Sequence, residues 1–500
     1  MFWLVGLLVL ETILEGLVCS GVYSNQALQR KIVCVVASVT LGGTSLLLAA
    51  DVWKIWLWSL PIVAYRIINL YRVYHARLPQ PRLRAVTMQS FGWLVAAQII
   101  VTFLTWPATL FHIGSIVLDV LVMLQLLGAL VLLRATLRTW QHATVPPETD
   151  NLSDRELPSL SVLVPARNET ESLEACLNRL VASDYPKLEI LVLDDCSVTR
   201  RTPDIIRSFA HAGVRFINGD APDETRWLAK NYAYERLVQE ASGDVLLFCG
   251  VDAELEPRAI RRLVTILETR KKNMLSIMPL RRALSADGNS ILQAMRYYWE
   301  LCLPRRFFKR PPVLSTCWLI RRDALKHMGG FESVSRSVSP EATFAREAVV
   351  TDSYSFIRGD DTLGVYSNKP SSEQYGTSVR VRYPQLHRRM ELVALAALWE
   401  ITFLLGPIIG LLLIGNLAHK LAYAMVWVLT LLCLFVTYGL AAIGTRLTNP
   451  WYGWLLMPVA FMIDLAILHI SLWKYEFGTV DWKGRNVCLP VMQIEHTSTK

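Results

Sequence analysis

Three short apolar runs in the middle of the chain end in acids. SLSVLVPARNE (Ser159–Glu169) is a β-branched run closing on Pro165, Ala166 and a polar turn with Glu169. LEILVLDDCS (Leu188–Ser197) ends in Asp194 and Asp195, and DVLLFCGV is followed by Asp252 and Glu254. WLAKNYA puts Lys230 at the start of a helical pattern between the second and third runs. Carboxylates gathered with Lys and Arg nearby suit a metal–diphosphate site. Hard oxygen ligands hold Mg2+ or Mn2+, and the cation neutralises a departing phosphate. Each acid taken singly also fits a helix cap or a turn.

The elements that must carry these residues follow from periodicity. The first run is followed by TESLEACLNRLVAS, the second by TPDIIRSFAHAG, both with apolar residues at helical spacing. Strands alternating with helices imply a mostly parallel sheet covered on both faces, with ligands at the carboxyl ends of the strands. No G-x-G-x-x-G follows the first strand and no G-x-x-x-x-G-K-S/T occurs, which argues against a dinucleotide dehydrogenase and a P-loop NTPase.

Around this unit the chain is too apolar for a soluble protein: 500 residues are 53% hydrophobic and 19% charged. The opening MFWLVGLLVLETILEGLVCSG lacks a basic leader and carries Glu11 and Glu15, so it reads as a membrane segment with one polar face rather than a cleaved signal. Further apolar runs at about 32–50, 53–71, 90–111 and 114–135 make five candidate spans. Basic stretches after Arg72 and at Arg134 and Arg138 put the central unit in the cytoplasm and the N-terminus outside. A second block suggests spans at 391–415, 421–444 and 455–473, with Gly406-Pro407 interrupting the first. The net charge of +9 is explained by these flanks and needs no nucleic acid. Nine scattered cysteines without a C-x-x-C pair read as reduced thiols.

In order, VLVPARNE, VLDDCS, WLAKNYA, the strand before Asp252, LIRRDALKHMGGF and VRVRY resemble the motifs of the family 2 glycosyltransferases over about Leu157–Tyr383. These are GT-A fold enzymes that move sugar from a nucleotide diphosphate. The resemblance implies that Pro165, Ala166, Glu169 and Asp194 or Asp195 line the nucleoside pocket, that Lys230 lies near the diphosphate, and that Asp252, with Glu254 as a shifted second oxygen, holds the metal. Where the family writes D-x-D this chain has Gly250-Val251-Asp252, and in place of E-D after GGF it has Pro340-Glu341. Glu341 then falls on the position of the general base, the alternative being a surface helix residue. VRVRY stands where related enzymes write Q-x-x-R-W. It implies Arg380 and Arg382 on the diphosphate and Tyr383 in the acceptor path, against the plainer reading of a basic amphipathic segment at the membrane. The tail YEFGTVDWKGRNVCL is similar to the W-x-G-R-x-x-x-L ending of ceramide glucosyltransferase-like and hopanoid- or carotenoid-related enzymes, where it returns to the cytoplasmic face.

The expected layout is an N-terminal membrane region at 1–138, a linker at 139–158, a GT-A domain at 159–383, an interfacial helix at 384–395, a second membrane region of three or four spans at 396–474 and a cytoplasmic tail at 475–500. The expected activity is transfer of sugar from a UDP- or GDP-sugar, UDP first, to a lipid acceptor with inversion, in the plasma or inner membrane if the source is bacterial. A processive polysaccharide synthase, a non-catalytic scaffold subunit built on the same fold and a transporter are the alternatives.

Overall fold

The β-branched run at 160–166 becomes the middle of a sheet, because both its faces are covered. In the computed structural model, which describes residues 2–20, 32, 33, 35, 36, 53–75, 80–110, 114–146, 152–282, 290–303, 310–416 and 419–492, it is β1 (Leu160–Ala166). Val162 and Val164 point into one core with Leu173, Leu177, Leu263 and Leu267. Leu163 points into the other, with Tyr234, Phe248, Trp318 and Phe344. This is the strict alternation of a strand, with apolar cover on both sides.

The other strands are β2 (Leu188–Asp194), β3 (Val214–Asn218), β4 (Val245–Cys249), β5 (Ala253–Leu255), β6 (Met274–Met278), β7 (Cys317–Arg321), β8 (Tyr354–Arg358), β9 (Val365–Ser367), β10 (Asp481–Trp482) and β11 (Arg485–Asn486). Seven form one sheet in the order β3-β2-β1-β4-β7-β6-β8. All neighbours run parallel except β7, which is antiparallel to β4 and β6. Phe248 and Trp318 are cross-strand partners stacked at 4.0 Å between ring centroids. The strands β5 and β9 pair beside the sheet, and β10 and β11 form a hairpin near the C-terminus.

The helices are α1 (Phe2–Ser20), α2 (Trp53–His75), α3 (Gln80–Leu110), α4 (Gly114–His142), α5 (Glu171–Val181), α6 (Arg201–Ser208), α7 (Ala229–Glu240), α8 (Ala259–Thr269), α9 (Ile291–Cys302), α10 (Arg322–His327), α11 (Pro340–Val350), α12 (Ser371–Arg382), α13 (Met390–Trp399), α14 (Gly406–Leu412), α15 (Lys420–Ala442), α16 (Met457–Phe477) and α17 (Cys488–Met492). Helix α8 shows the common pattern: Ile260, Leu263, Val264, Ile266 and Leu267 lie on the sheet, with Arg261 and Arg262 on the other face.

Among the described residues, four helical segments are long and apolar enough to cross a membrane: Ile116–His142, Met390–Leu412, Lys420–Ala442 and Gly453–Phe477. α13, a π-helical stretch at Glu400–Leu405 and α14 form one continuous rod. Gly406-Pro407 therefore does not divide this run: the π-helical turn before it accommodates the missing N–H of Pro407, and Gln125 donates to the Thr402 carbonyl at 2.7 Å. The expected interfacial helix at 384–395 is not a separate element. A single 3-10 turn at Pro384–Leu386 ends in left-handed His387 and Arg388, and Met390 already starts the membrane-length rod. The basic stretch 66–84 is mostly helical, shared by the end of α2 and the start of α3. Most of the span expected at 32–50, with Arg30, Lys31 and Asp51, lies outside the described residues, as do 147–151 of the linker and 493–500 of the tail.

Glu11 and Glu15 do face a bundle: both are buried with Arg66, whose guanidinium lies 3.6 Å from Glu11 and 2.5 Å from Glu15. A paired cation is what makes two carboxylates tolerable at that depth.

Candidate functional site

β1, β2 and β4 are neighbours and parallel, so their carboxyl ends bring the three acidic segments to one edge of the sheet. Pro165 and Ala166 close β1, opposite Leu193 and Asp194 of β2. The Asp195 N–H donates to the Ala166 carbonyl at 2.8 Å, which fixes the turn. Asp194 is buried and accepts from the Ser197 hydroxyl and, at 3.3 Å, from its N–H. A Cβ at Gly219 would stand 2.6 Å from the Asp194 carbonyl, so only glycine lets the end of β3 approach there.

Asp195 and Glu169 meet the C-terminal hairpin. Arg485 donates from one nitrogen to both Asp195 oxygens at 2.8 Å each, and the Lys483 ammonium pairs with Glu169. Arg167 braces the junction, donating to the carbonyls of Asp195 (2.6 Å), Cys196 (2.7 Å) and Lys483 (3.0 Å). Burial pushes both carboxyls above their usual range, with Arg485 and Lys483 opposing the shift. Hence Arg485→Ala, which leaves Asp195 buried without its cation, is expected to weaken nucleotide binding about tenfold or more and to expose the hairpin to protease. Titration calorimetry and limited proteolysis check this; unchanged affinity would remove Arg485 from the site.

Next to these lies a group of cations with few anions. Lys230 starts α7, Arg296 is on α9, Lys369 follows β9 and Arg380 is near the end of α12. Lys230, Arg296 and Lys369 all feel the charge of Asp252, and Arg380 bears on each of them. Burial lowers the proton affinity of all four, that of Arg296 to about 10. Several half-buried cations gathered near one carboxylate make a pocket suited to a diphosphate. Arg296 is held by Ser378 at 2.8 Å and by the Gln374 carbonyl at 3.2 Å. The ring of Trp482, in the hairpin, lies 5.6 Å from the Arg380 guanidinium, so the hairpin spans from the acidic turns to this cationic pocket.

Asp252 accepts from the Ser367 hydroxyl at 3.1 Å. Its other oxygen would lie 2.7 Å from a Cβ at position 250, which is why glycine there fits this conformation. Glu254 turns elsewhere, taking Asn368 at 2.6 Å and Arg282 at 3.3 Å. No group of three His, Cys, Asp or Glu forms a metal cage among the described residues. The donors present suit a hard cation held by Asp252, water and substrate phosphates, a common arrangement for Mg2+.

Glu341 stands in the first turn of α11, buried, where Pro340 sets the helix start. Burial raises its carboxyl and the Lys230 charge lowers it, so the acid and the cationic pocket are coupled through Lys230.

Arg382 and Tyr383 do not join the pocket. Residues two apart on a helix point about 200° from each other, so with Arg380 facing the pocket Arg382 turns away. It pairs with Glu400 (2.6 Å) and Asp464 (2.7 Å) beside Trp299. Tyr383 is fully buried, its hydroxyl donating to Glu476, with the Arg388 carbonyl at 2.9 Å as the other acceptor within reach. The sequence reading missed Lys369, Arg296, Lys483 and Arg485. The W-x-G-R spelling of the tail was a signal for the last two; nothing local marks Lys369 or Arg296.

The model of the glycosyl transferase family 2 matches residues 161–329. The chain is 27% identical over 209 residues to the probable glycosyltransferase YdaM of Bacillus subtilis, covering 40% of this chain and 48% of that protein, so it spans about half the length of that relative. It is 23% identical over 348 residues to a 4,4'-diaponeurosporenoate glycosyltransferase of Staphylococcus aureus, covering 65% of this chain and 88% of the relative. Among solved structures, a mannosyltransferase of Pyrobaculum calidifontis aligns with 70% of this chain and 99% of its own at 15% identity, with a TM-score of 0.42. The match at 161–329 thus marks a glycosyl transferase family 2 domain within the longer chain, in the segment that carries the sheet and the acids at its edge.

Proposed function

We propose that the protein is a membrane glycosyltransferase that passes a sugar from a nucleoside diphosphate sugar, UDP-linked first, to the hydroxyl of a lipid with inversion at the anomeric carbon. The observation that carries this is the cationic pocket of Lys230, Arg296, Lys369 and Arg380 around Asp252, with buried Glu341 coupled to it. Membrane-length helices on both sides of the domain, and the carotenoid-related name of the Staphylococcus relative, support a lipid acceptor.

In this reading Pro165, Ala166, Glu169, Asp194 and Asp195 meet the nucleoside, and the cations hold the diphosphate. The acceptor oxygen attacks the anomeric carbon from the side opposite the diphosphate. Its proton passes to a Glu341 oxygen as the new C–O bond forms. The bond from the anomeric carbon to the diphosphate oxygen breaks, and its electron pair leaves with the nucleoside diphosphate. Lys230 and Arg380 stabilise that charge where it develops. A divalent cation on Asp252, Mg2+ or Mn2+, would supply further neutralisation. Glu254 is held by Arg282 and Asn368 and is at most an outer neighbour of that ion.

Purified protein incubated with radiolabelled UDP- and GDP-sugars and a lipid extract is expected to label the organic fraction. Label in polymer would favour a processive synthase, and no transfer with any donor would favour a scaffold subunit.

The charges also set a pH profile. Glu341 must be ionised to take a proton, and its carboxyl is raised, so kcat is expected to rise with pH through a limb above the ordinary glutamate value of about 4.3. Lys230 must be charged, and its ammonium is lowered, so the rate is expected to fall through a limb below the ordinary lysine value of about 10.4. A profile flat from about pH 5 to 10 would contradict both assignments.

A further inference from the structure

We infer that α16 is not a membrane crossing but lies in the plane of the membrane surface, against the domain, with its outer face seated in lipid headgroups. By composition it reads as a span: 21 residues at about 1.5 Å each can cross a core of about 30 Å. Its contacts forbid that course.

The loop before it is tied to the sheet domain. The Arg281 N–H donates to the Thr445 carbonyl at 3.0 Å, the Ser290 N–H to the Leu447 carbonyl at 2.8 Å, and Arg446 pairs with Asp361. Midway along α16, Asp464 accepts from the Trp299 indole at 2.8 Å and from Arg382 at 2.7 Å. Towards its end, Ser471 accepts from the Tyr383 N–H at 3.1 Å and the Tyr475 hydroxyl donates to the Arg380 carbonyl at 2.8 Å. Beyond it, Arg485 reaches Asp195. These partners all belong to the unit built on one sheet, while on its second half α16 also meets α2, through Tyr65 with His469 at 2.7 Å and Arg72 with Glu476 at 3.0 Å. A helix normal to the bilayer would need that unit on both sides of the membrane.

The two preceding rods behave as crossings. α15 packs parallel to α4: Tyr423 bonds Asp119 at the ends remote from the domain, while Gly444 and Trp140 meet at the domain ends, where Arg358 sits 4.4 Å from the Trp140 ring. Met390–Leu412 leaves the domain side and Lys420–Ala442 returns to it.

The burial of α16 fits an interfacial helix. Its polar residues Asp464, Ser471 and Glu476 face inward, while Val459 (42% exposed), Met462 (52%), Ala466 and Trp473 (53%) face out. The loop at its start exposes Trp451 (86%), Tyr452 and Trp454. Tryptophan and tyrosine prefer the headgroup level, and the inner side of α16 shares one apolar core with the crossing helices α4 and α15 (Ala460 and Phe461 with Leu132 and Leu434), so the occupant of its exposed apolar face is bilayer lipid. The inference holds whatever the donor or acceptor.

Two measurements on the full chain in phosphatidylcholine–phosphatidylglycerol vesicles test it. Nitroxide labels on single cysteines at Val459, Met462, Ala466 and Trp473, read against the unsubstituted protein for its native thiols, are expected to report one shallow depth, within about 5–10 Å of the headgroup boundary. A crossing helix would spread the first and last by about 21 Å along the normal and overturn the inference. Independently, an impermeant maleimide is expected to reach Arg155→Cys in the linker and Asp481→Cys in the hairpin from the same side of sealed vesicles. Labelling from opposite sides would restore the third crossing.

Discussion

Replacing the carboxylate of Glu341 with an amide is expected to lower kcat by on the order of 10²–10⁴ while nucleotide-sugar affinity stays within about twofold. Glu341→Gln keeps the volume and the first turn of α11 but cannot accept the acceptor's proton. The side chain is buried beside the charge of Lys230, and Lys230 in turn belongs to the cationic pocket, so acid and leaving-group site are within one electrostatic unit. Of the acids after the glycine pair, Glu332 is exposed and paired with Arg226, and Asp361 is paired with Arg446 outside the pocket. Single-turnover rates and donor titration on the same preparation separate the two effects. Near-native turnover in the variant would take Glu341 out of the mechanism.

The second large effect is expected at Asp252. With Lys230, Arg296 and Lys369 bearing on it and Glu254 drawn off to Arg282, Asp252 is the carboxylate at the pocket able to hold a divalent ion against two phosphates. Asp252→Asn keeps the hydrogen bond from Ser367 yet loses the charge. A rate loss on the order of 10²–10³ is expected, with donor affinity that no longer responds to Mg2+ or Mn2+. Calorimetry of UDP-sugar binding with and without chelator checks it. Equal affinity in the native protein under both conditions would show that the four cations suffice without metal.

The sequence by itself determined the elements and the residues at their ends. Strand-forming runs followed by helical spacing require a covered parallel sheet, and in such a sheet Glu169, Asp194, Asp195 and Asp252 must gather at one edge, because parallel strands all end on the same side. The apolar blocks likewise require membrane helices, since their backbone groups have no other solvent-free solution. Local spelling does not carry long-range partnership. Lys369 and Arg296 are 73 residues apart in sequence (369 − 296) and become one pocket with Lys230 and Arg380 only when α7, α9, α12 and the loop after β9 pack together. In the strip VRVRY the chain offers two arginines, and helix geometry sends one to the pocket and the other to Glu400 and Asp464. The hairpin bearing Lys483 and Arg485 could be recognised from its glycine turn, but not that it closes on Glu169 and Asp195 some 300 residues earlier. Hydropathy made α16 a span because it counts apolar residues without their neighbours. Tertiary contacts from Arg382, Trp299 and Tyr383 to its inward polar face decided otherwise, because one rigid domain cannot touch both ends of a helix across a bilayer.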